Sequence, residues 1–155
     1  MRRGTTKFGL WFVTLDWDDG IIYRVAFLKS GKESPVPPQI RQYLAGKVKV
    51  IEGFESIAMQ GSDMNTRVYR EVCRVPYGST ATYGEIASKV GTSPRVVGRA
   101  LAHNPTPLII PCHRIISAHG IGGFTPGIEI KEALLRLEGQ NRSKTVTTAS
   151  GDRRG

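Results

Sequence analysis

The sequence predicts a mixed α/β chain: a small N-terminal lobe built on an antiparallel sheet, followed by a helical lobe containing a helix-turn-helix. Three observations carry this. Residues 8–15 and 21–28 are rich in aromatic and β-branched side chains and flank the turn-forming Asp16-Trp17-Asp18-Asp19-Gly20, which is hairpin chemistry. Further on, two short segments with helical apolar spacing and capping residues lie either side of Gly91-Thr92-Ser93. Finally, Ile109-Ile110-Pro111-Cys112-His113-Arg114-Ile115-Ile116 places a thiol, an imidazole and a guanidinium between two β-branched apolar pairs. A run this apolar should be buried, and burying three polar side chains is costly unless each is partnered.

Taken in order, Met1-Arg2-Arg3-Gly4 leads into an amphipathic strand pattern and not a hydrophobic leader. Residues 30–38 form a polar, proline-containing loop. From Pro38 to the stop at Gly46, the apolar residues Ile40, Tyr43 and Leu44 predict a short helix. Val48, Val50 and Ile51 predict another strand, and residues 52–62 a linker. The aromatic residues of this lobe read as core.

From Asp63 to Arg74 a helix is predicted, with Val68, Val72 and Val75 on one stripe and Cys73 on or beside that apolar face in a structural role. Pro76-Tyr77-Gly78 ends it. Thr82 and Glu85 have capping-box spacing, Ile86, Ala87 and Val90 form the inward stripe, and Gly91 is the stop. Ser93 caps the next helix with Pro94 in its first position; Val97, Ala100 and Leu101 face inward and Asn104-Pro105 closes it. Its outer face carries Arg95, Gly98, Arg99 and Ala102. Positive charge among very small side chains suits close approach to a nucleic-acid backbone or groove, although an ordinary solvated basic face has the same composition.

A strand over residues 108–110 should break at Pro111, which has no N–H for a ladder, and turn Cys112 towards a cavity. Residues 117–120 form a turn, and the glycines of Ile121-Gly122-Gly123-Phe124 let a ligand come close. A last helix from Gly127 points Ile130, Ala133, Leu134 and Leu137 inward and ends at Gly139. Residues 140–155, Ser/Thr/Arg-rich with a single valine, are expected to be a disordered basic tail.

With 155 residues, the chain suffices for one ordinary domain or two small lobes sharing an interface. No stretch is long and apolar enough to span a bilayer. Two cysteines in unlike settings suggest neither a disulfide framework nor a zinc site, so a reducing, cytoplasmic location is expected, or a nuclear one in a eukaryote. The formal charge of +9 favours a polyanionic partner. About a third of that excess lies in residues 140–155, so composition does not locate the contact surface.

Imidazole and guanidinium beside Cys112 should favour the thiolate, the nucleophilic form. Free cysteine is also a common buried hydrophobe, so its surroundings decide. Asn104-Pro105-Thr106-Pro107 precedes it, and the glycine-rich stretch, Lys131-Glu132 and Leu137-Glu138-Gly139 follow. Together with Val75-Pro76-Tyr77-Gly78 and Thr82-Tyr83-Gly84-Glu85-Ile86-Ala87, these residues resemble the signature of the O6-alkylguanine-DNA alkyltransferases, in detail from about Thr66 to Gly139 and generally before that.

The resemblance implies DNA repair by direct reversal. A cysteine thiolate displaces the alkyl group from O6 of guanine, possibly also from O4 of thymine, and keeps it as a thioether in a single, irreversible turnover. It implies a ribonuclease-H-like lobe over residues 1–60, a catalytic and DNA-binding domain with a winged helix-turn-helix over 61–139, and the basic tail over 140–155. Carried over, Cys112 is the nucleophile, His113 its base through a water, and Glu138 the group orienting His113. Asn104 braces the cysteine turn, and Tyr83 rotates the target nucleotide and protonates the leaving base. Arg95 becomes a finger filling the gap left by the flipped base, which cannot react while stacked. Gly98, Arg99, Ser93 and Thr82 join it at the DNA, while Ile115, Phe124, Thr125 and Pro107 line the substrate pocket and Arg114 is structural. The implied partner is double-stranded DNA carrying O6-alkylguanine, bound by a monomer, with no cofactor and no metal. Phe124 stands where relatives often have tyrosine, removing a hydroxyl beside the substrate, and Pro126 stiffens the adjoining loop. A non-transferring alkyltransferase-like protein would usually carry tryptophan in place of Cys112. A Cys-His hydrolase would turn over and need no base-flipping helix.

Overall fold

The computed structural model describes residues 1–145, with the backbone alone from 140. Three antiparallel strands open the chain: β1 (Arg2–Phe8), β2 (Trp11–Asp18) and β3 (Ile21–Leu28). The strand expected from Phe8 is thus two. Gly9-Leu10 makes a first hairpin, and residues 16–18, expected in the turn, continue β2 because Trp17 is drawn into the core beyond a register shift at Asp16/Trp17. The turn is left to Asp19 and Gly20, both at positive φ, the backbone a two-residue hairpin of this kind needs.

After α1 (Pro38–Leu44) the expected strand at 48–51 is absent. Val48 and Ile51 pack against the core from a loop while Val50 is exposed. The free edge of β3 is taken instead by β4 (Glu55–Ser56), pairing in parallel with Ile21 and Ile22. A 3-10 turn (Ile57–Gln60), capped by Ser56, then leads to α2 (Met64–Val72). Within residues 52–62, expected as a linker, Glu55 and Ser56 join the sheet edge and Ile57–Gln60 form an ordered turn. The sheet order is β1-β2-β3-β4.

The second half follows its local signals closely. Asp63 caps α2 through Thr66 N, and Cys73, expected on or beside the apolar face, is the exposed residue closing that helix. β5 (Ala81–Thr82) enters α3 (Tyr83–Val90) through a complete Thr82/Glu85 capping box, and Gly91 ends it in the left-handed conformation. Ser93 caps α4 (Pro94–Ala102). The predicted strand at 108–110 is a tight turn closed by Ile110 N on Thr106 O, with Leu108 at φ +82°. Leu108 takes up that uncommon backbone with its side chain buried in the core. Cys112–Arg114 form one 3-10 turn and β6 (Ile115–Ile116) pairs in parallel with β5. Finally α5 (Ile128–Thr145) runs through the expected stop at Gly139. A glycine inside a helix costs only about 1 kcal/mol, and Gln140-Asn141-Arg142 carries no proline to enforce an end. The expected tail is thus helical to Thr145, and the rest of it lies outside the described residues.

Two apolar clusters hold this together. One joins Val13, Leu15, Ile22 and Val25 of the sheet to Ile40, Tyr43 and Leu44 of α1 and to Ile130 and Leu134 of α5. The other joins α2, α3 and α4 through Val68, Val72, Ile86, Val97 and Ala100. Leu108 belongs to the first and Ile110, Cys112 and Ile115 to the second. The Cys-His-Arg segment is so apolar because it is the seam between two cores.

Candidate active site

Asn104, just past α4, organises the approach to the cysteine. Its Oδ1 accepts from Thr106 N at 2.9 Å, while Nδ2 donates to Ile110 O at 3.0 Å and to Cys112 Sγ at 3.2 Å. One amide side chain thereby closes the turn and holds the sulfur. The N-terminal lobe pins the same loop: Val25 N donates to Pro105 O at 2.9 Å, and Thr106 Oγ1 to Ser56 Oγ at 2.7 Å. Neither tie was visible in the sequence, because each joins residues far apart in the chain.

Behind the sulfur lies a buried polar network centred on Glu138 of α5. His113 Nε2 meets Glu138 Oε2 at 2.8 Å, and the Arg114 guanidinium donates to both carboxylate oxygens and to Val75 O. Tyr43, from α1, donates its phenol to the same carboxylate, and Gly78 N adds a contact at 3.3 Å. Burial opposes the Glu138 charge, yet the hydrogen bonds from His113 and Arg114 hold its carboxyl well below the usual carboxylate range. Burial lowers His113 despite Glu138, leaving a neutral imidazole whose Nδ1 is buried with no hydrogen-bond partner among the described residues. Such a ring is available to take a proton.

Here the structure corrects the expected thiolate. Arg114 is turned onto Glu138 and Val75, and burial pushes the Cys112 thiol up to about 11, against the Asn104 hydrogen bond and the charge of Lys131. The sulfur is a thiol at neutral pH, so its proton must leave as it attacks.

Cys112 forms the floor of a cavity of about 140 Å³ lined by Tyr83, Gly98, Leu101, Gly123, Phe124 and Thr125, among others. This is well below the ~300–1,000 Å³ of pockets that enclose drug-sized ligands, and it suits one small ring system. Burial keeps the Tyr83 phenol protonated, and its Oη lies 3.4 Å from Gly123 O. Gly122, at φ +77°, is required there: a Cβ would sit 3.0 Å from the Tyr83 ring and 3.1 Å from its oxygen. Lys131 is fully buried and donates to Ile115 O at 2.6 Å and Gly123 O at 3.0 Å, strapping the pocket wall to the segment after the cysteine. Burial lowers its ammonium to about 8.

Sequence reasoning read Tyr43 as helix core and Gly122 as one of the glycines that let a ligand come close, and gave Lys131 no role beyond its place in the family signature. Lys131 and Glu138 lie seven apart on α5 with Leu134 between them, a shared helical face that could have singled out the lysine. Among the expected pocket residues, Phe124 and Thr125 line the cavity. Ile115 does not: it is wholly buried in the helical core, and its contribution is the carbonyl that Lys131 holds. Pro107 lines an adjoining groove that also reaches Cys112.

On the outer surface of α4, Arg95 and Arg99 are exposed one turn apart, and a Cβ on Gly98 between them would meet nothing within 4 Å. The glycine serves no internal packing, so it leaves that surface open. Thr82 and Ser93 spend their hydroxyls as helix caps on Glu85 N and Val96 N, at the two helix entrances of the helix-turn-helix.

Residues 63–140 match the family model of the 6-O-methylguanine DNA methyltransferase DNA-binding domain. A methylated-DNA–protein-cysteine methyltransferase of Metallosphaera sedula is 38% identical over 147 residues, covering 90% of this chain and 94% of that protein. Another of the same name, from Saccharolobus islandicus, is 51% identical over 91 residues, covering 59% of this chain and 60% of its own length. The crystal structure of Mycobacterium tuberculosis OGT in complex with DNA superposes with a TM-score of 0.75 at 32% identity, covering 88% of this chain and 92% of that one.

Proposed function

Since the chain belongs to the methylated-DNA–protein-cysteine methyltransferase family, we propose that it repairs O6-alkylguanine in double-stranded DNA by moving the alkyl group, once and irreversibly, onto Cys112. The observation that carries this reading is a buried thiol lining a small cavity, backed by a neutral imidazole locked onto an ionised carboxylate.

Sγ attacks the alkyl carbon as the bond from that carbon to O6 breaks, and the electron pair leaves with guanine. Because the resting sulfur is a thiol, its proton passes through a bridging water to His113 Nδ1, a buried nitrogen with no partner among the described residues. Glu138 holds the imidazole through Nε2 and balances the imidazolium formed, which is the logic of a hydrolase triad. Tyr83 supplies a proton to the departing guanine and regains one from the relay. Asn104 fixes the sulfur, while Phe124 and Thr125 bound the base.

The helix-turn-helix lays α4 along the duplex, with Arg95 filling the gap left by the flipped nucleotide, Gly98 permitting close approach, and Arg99, Ser93 and Thr82 near the phosphates. We read residues 1–60 and 61–139 as the two lobes and O4-alkylthymine as a second possible substrate. No described helix is long and apolar enough to cross a membrane. A DNA partner places the protein with the chromosome, in the cytoplasm of a prokaryote or the nucleus of a eukaryote.

Intact-mass measurement after incubation with a duplex carrying one O6-methylguanine tests the reading. One permanent methyl per chain is expected; repeated turnover would indicate a hydrolase, and binding without mass gain a non-transferring lesion binder. Arg95→Ala should slow reaction with duplex by about tenfold or more, in keeping with a residue that stabilises an extrahelical base at a cost of a few kcal/mol, while reaction with free O6-alkylguanine stays near its original rate. Equal losses on both substrates would reject the finger role.

A further inference from the structure

Tyr43 comes from the N-terminal half of the chain, yet its hydroxyl ends beside the imidazole that serves Cys112. Helix α1 turns Ile40, Tyr43 and Leu44 inward, and the Tyr43 ring stands edge-on to Tyr77 with centroids 6.0 Å apart. That packing delivers the phenol to Glu138 Oε2, to which it donates. The same oxygen accepts from His113 Nε2 and Arg114 Nη2, each at 2.8 Å, and the phenol oxygen lies 3.5 Å from His113 Nε2. Three donors thus converge on one carboxylate oxygen, while Oε1 takes Arg114 Nε and Gly78 N. Burial first, and the Glu138 charge second, keep the phenol protonated, so it remains a donor.

Resting on the alkyl-transfer reading above, we propose that Tyr43 is a positioning residue for the transfer: by sharing Glu138 Oε2 with His113, it limits the charge offered to the imidazole and keeps that ring free of a proton until the thiol supplies one. A carboxylate oxygen that already accepts from a hydroxyl supports an imidazolium less strongly. Without the phenol, the Glu138 and His113 pair takes up a proton at higher pH, whichever partner carries it. A ring already charged cannot accept the proton of Sγ–H, and transfer stops. The other groups facing the imidazole do not replace the phenol. Arg114 and Lys131 both oppose a charged ring, but Arg114 is bonded to Glu138 itself and Lys131 to the carbonyls of Ile115 and Gly123. Cys112 is a neutral thiol at rest, and Tyr77 packs on Tyr43 and Arg114. During transfer the proton leaving Sγ goes to His113 as Sγ–C forms and C–O6 breaks, its electrons going to guanine; Tyr43 keeps its own.

The test measures methyl transfer from a duplex carrying one O6-methylguanine between about pH 5 and pH 9, in the full-length protein and in Tyr43→Phe, which keeps the ring against Tyr77 and removes only the hydroxyl. The half-maximal point on the acid side should move up by about one pH unit, the equivalent of one hydrogen bond to a charged group. The nitrogen-15 resonances of His113, followed by NMR in the unreacted proteins, should move with it. Superimposable acid limbs, or a rate lowered by the same factor at every pH, would show that Tyr43 merely packs, overturning the proposal and leaving the function standing. Should the variant fail to fold, the wild type still decides: a His113 ring carrying both protons at pH 7 would overturn the proposal, and a ring with Nδ1 unprotonated and Nε2 protonated is the expected result. Absence of methyl transfer in the wild type would instead overturn the function, and the role of Tyr43 with it.

Discussion

Cys112→Ser abolishes methyl uptake from alkylated duplex while affinity for undamaged DNA stays within about twofold, because phosphate contacts set binding and the sulfur does not take part in them. Serine keeps the size of the side chain and can still accept from Asn104 Nδ2, so the turn between Asn104 and Cys112 survives. What disappears is a nucleophile that becomes competent when its proton is removed during attack. Quantifying methyl uptake by mass spectrometry alongside a DNA titration at fixed salt separates the two effects. The other thiol, Cys73, is exposed at the end of α2 with its sulfur 3.9 Å from Ile109 O, and it does not line the small cavity at Cys112. A methyl recovered on Cys73 in the variant would overturn the site assignment.

Glu138→Gln should be the most destabilising single change at the site, and should also remove transfer. The carboxylate is 1% exposed and is shared by His113, Arg114 and Tyr43. Neutralising it leaves the Arg114 guanidinium buried without its counter-charge, and breaking a buried pair in this way typically costs about 3–5 kcal/mol. For a chain of this size the midpoint of thermal unfolding should fall by on the order of 10 °C. The sign with pH follows from the depressed carboxyl. Its contribution to stability is fully present above the unfolded value near 4.3 and is lost as pH falls from there towards the lower native value. Wild type should therefore lose stability steeply below about pH 4, where an unfolded carboxylate begins to bind protons, and the glutamine variant should lack that part of the slope. Calorimetry across pH 3–7 on both proteins measures it; equal acid slopes would mean that Glu138 is not the group holding the seam.

Along the chain, the sequence determined whatever is governed by near neighbours. Thr82 and Glu85 close a capping box three residues apart, Ser93-Pro94 starts α4, and the stripes of α2 to α4 are read from spacings of three and four. The grouping of Cys112 with Asn104, His113 and Glu138 came from the resemblance of the motif, and the structure brings Asn104 onto the sulfur and His113 onto Glu138. Where such local signals were weak or outweighed, the reading failed. Val48 and Val50 look like a strand, but the edge of β3 is taken by Glu55 and Ser56 and residues 48–51 stay in a loop. Residues 108–110 look like a strand, but they must cross from one core to the other, and a turn at Leu108 does so. Gly139 looks like a stop, but the backbone bonds of α5 outweigh one unfavourable residue.

Only the tertiary structure decided the electrostatics of the site. Arg114 and His113 adjoin Cys112 in sequence, yet both are committed to Glu138, twenty-four and twenty-five residues away along the chain, and Tyr43 reaches the same carboxylate from the other lobe. Lys131 takes the place expected of Arg114 as the charge acting on the sulfur. Adjacency along a chain does not fix which way side chains point, and burial, which sets the protonation of a thiol, depends on every element packed around it.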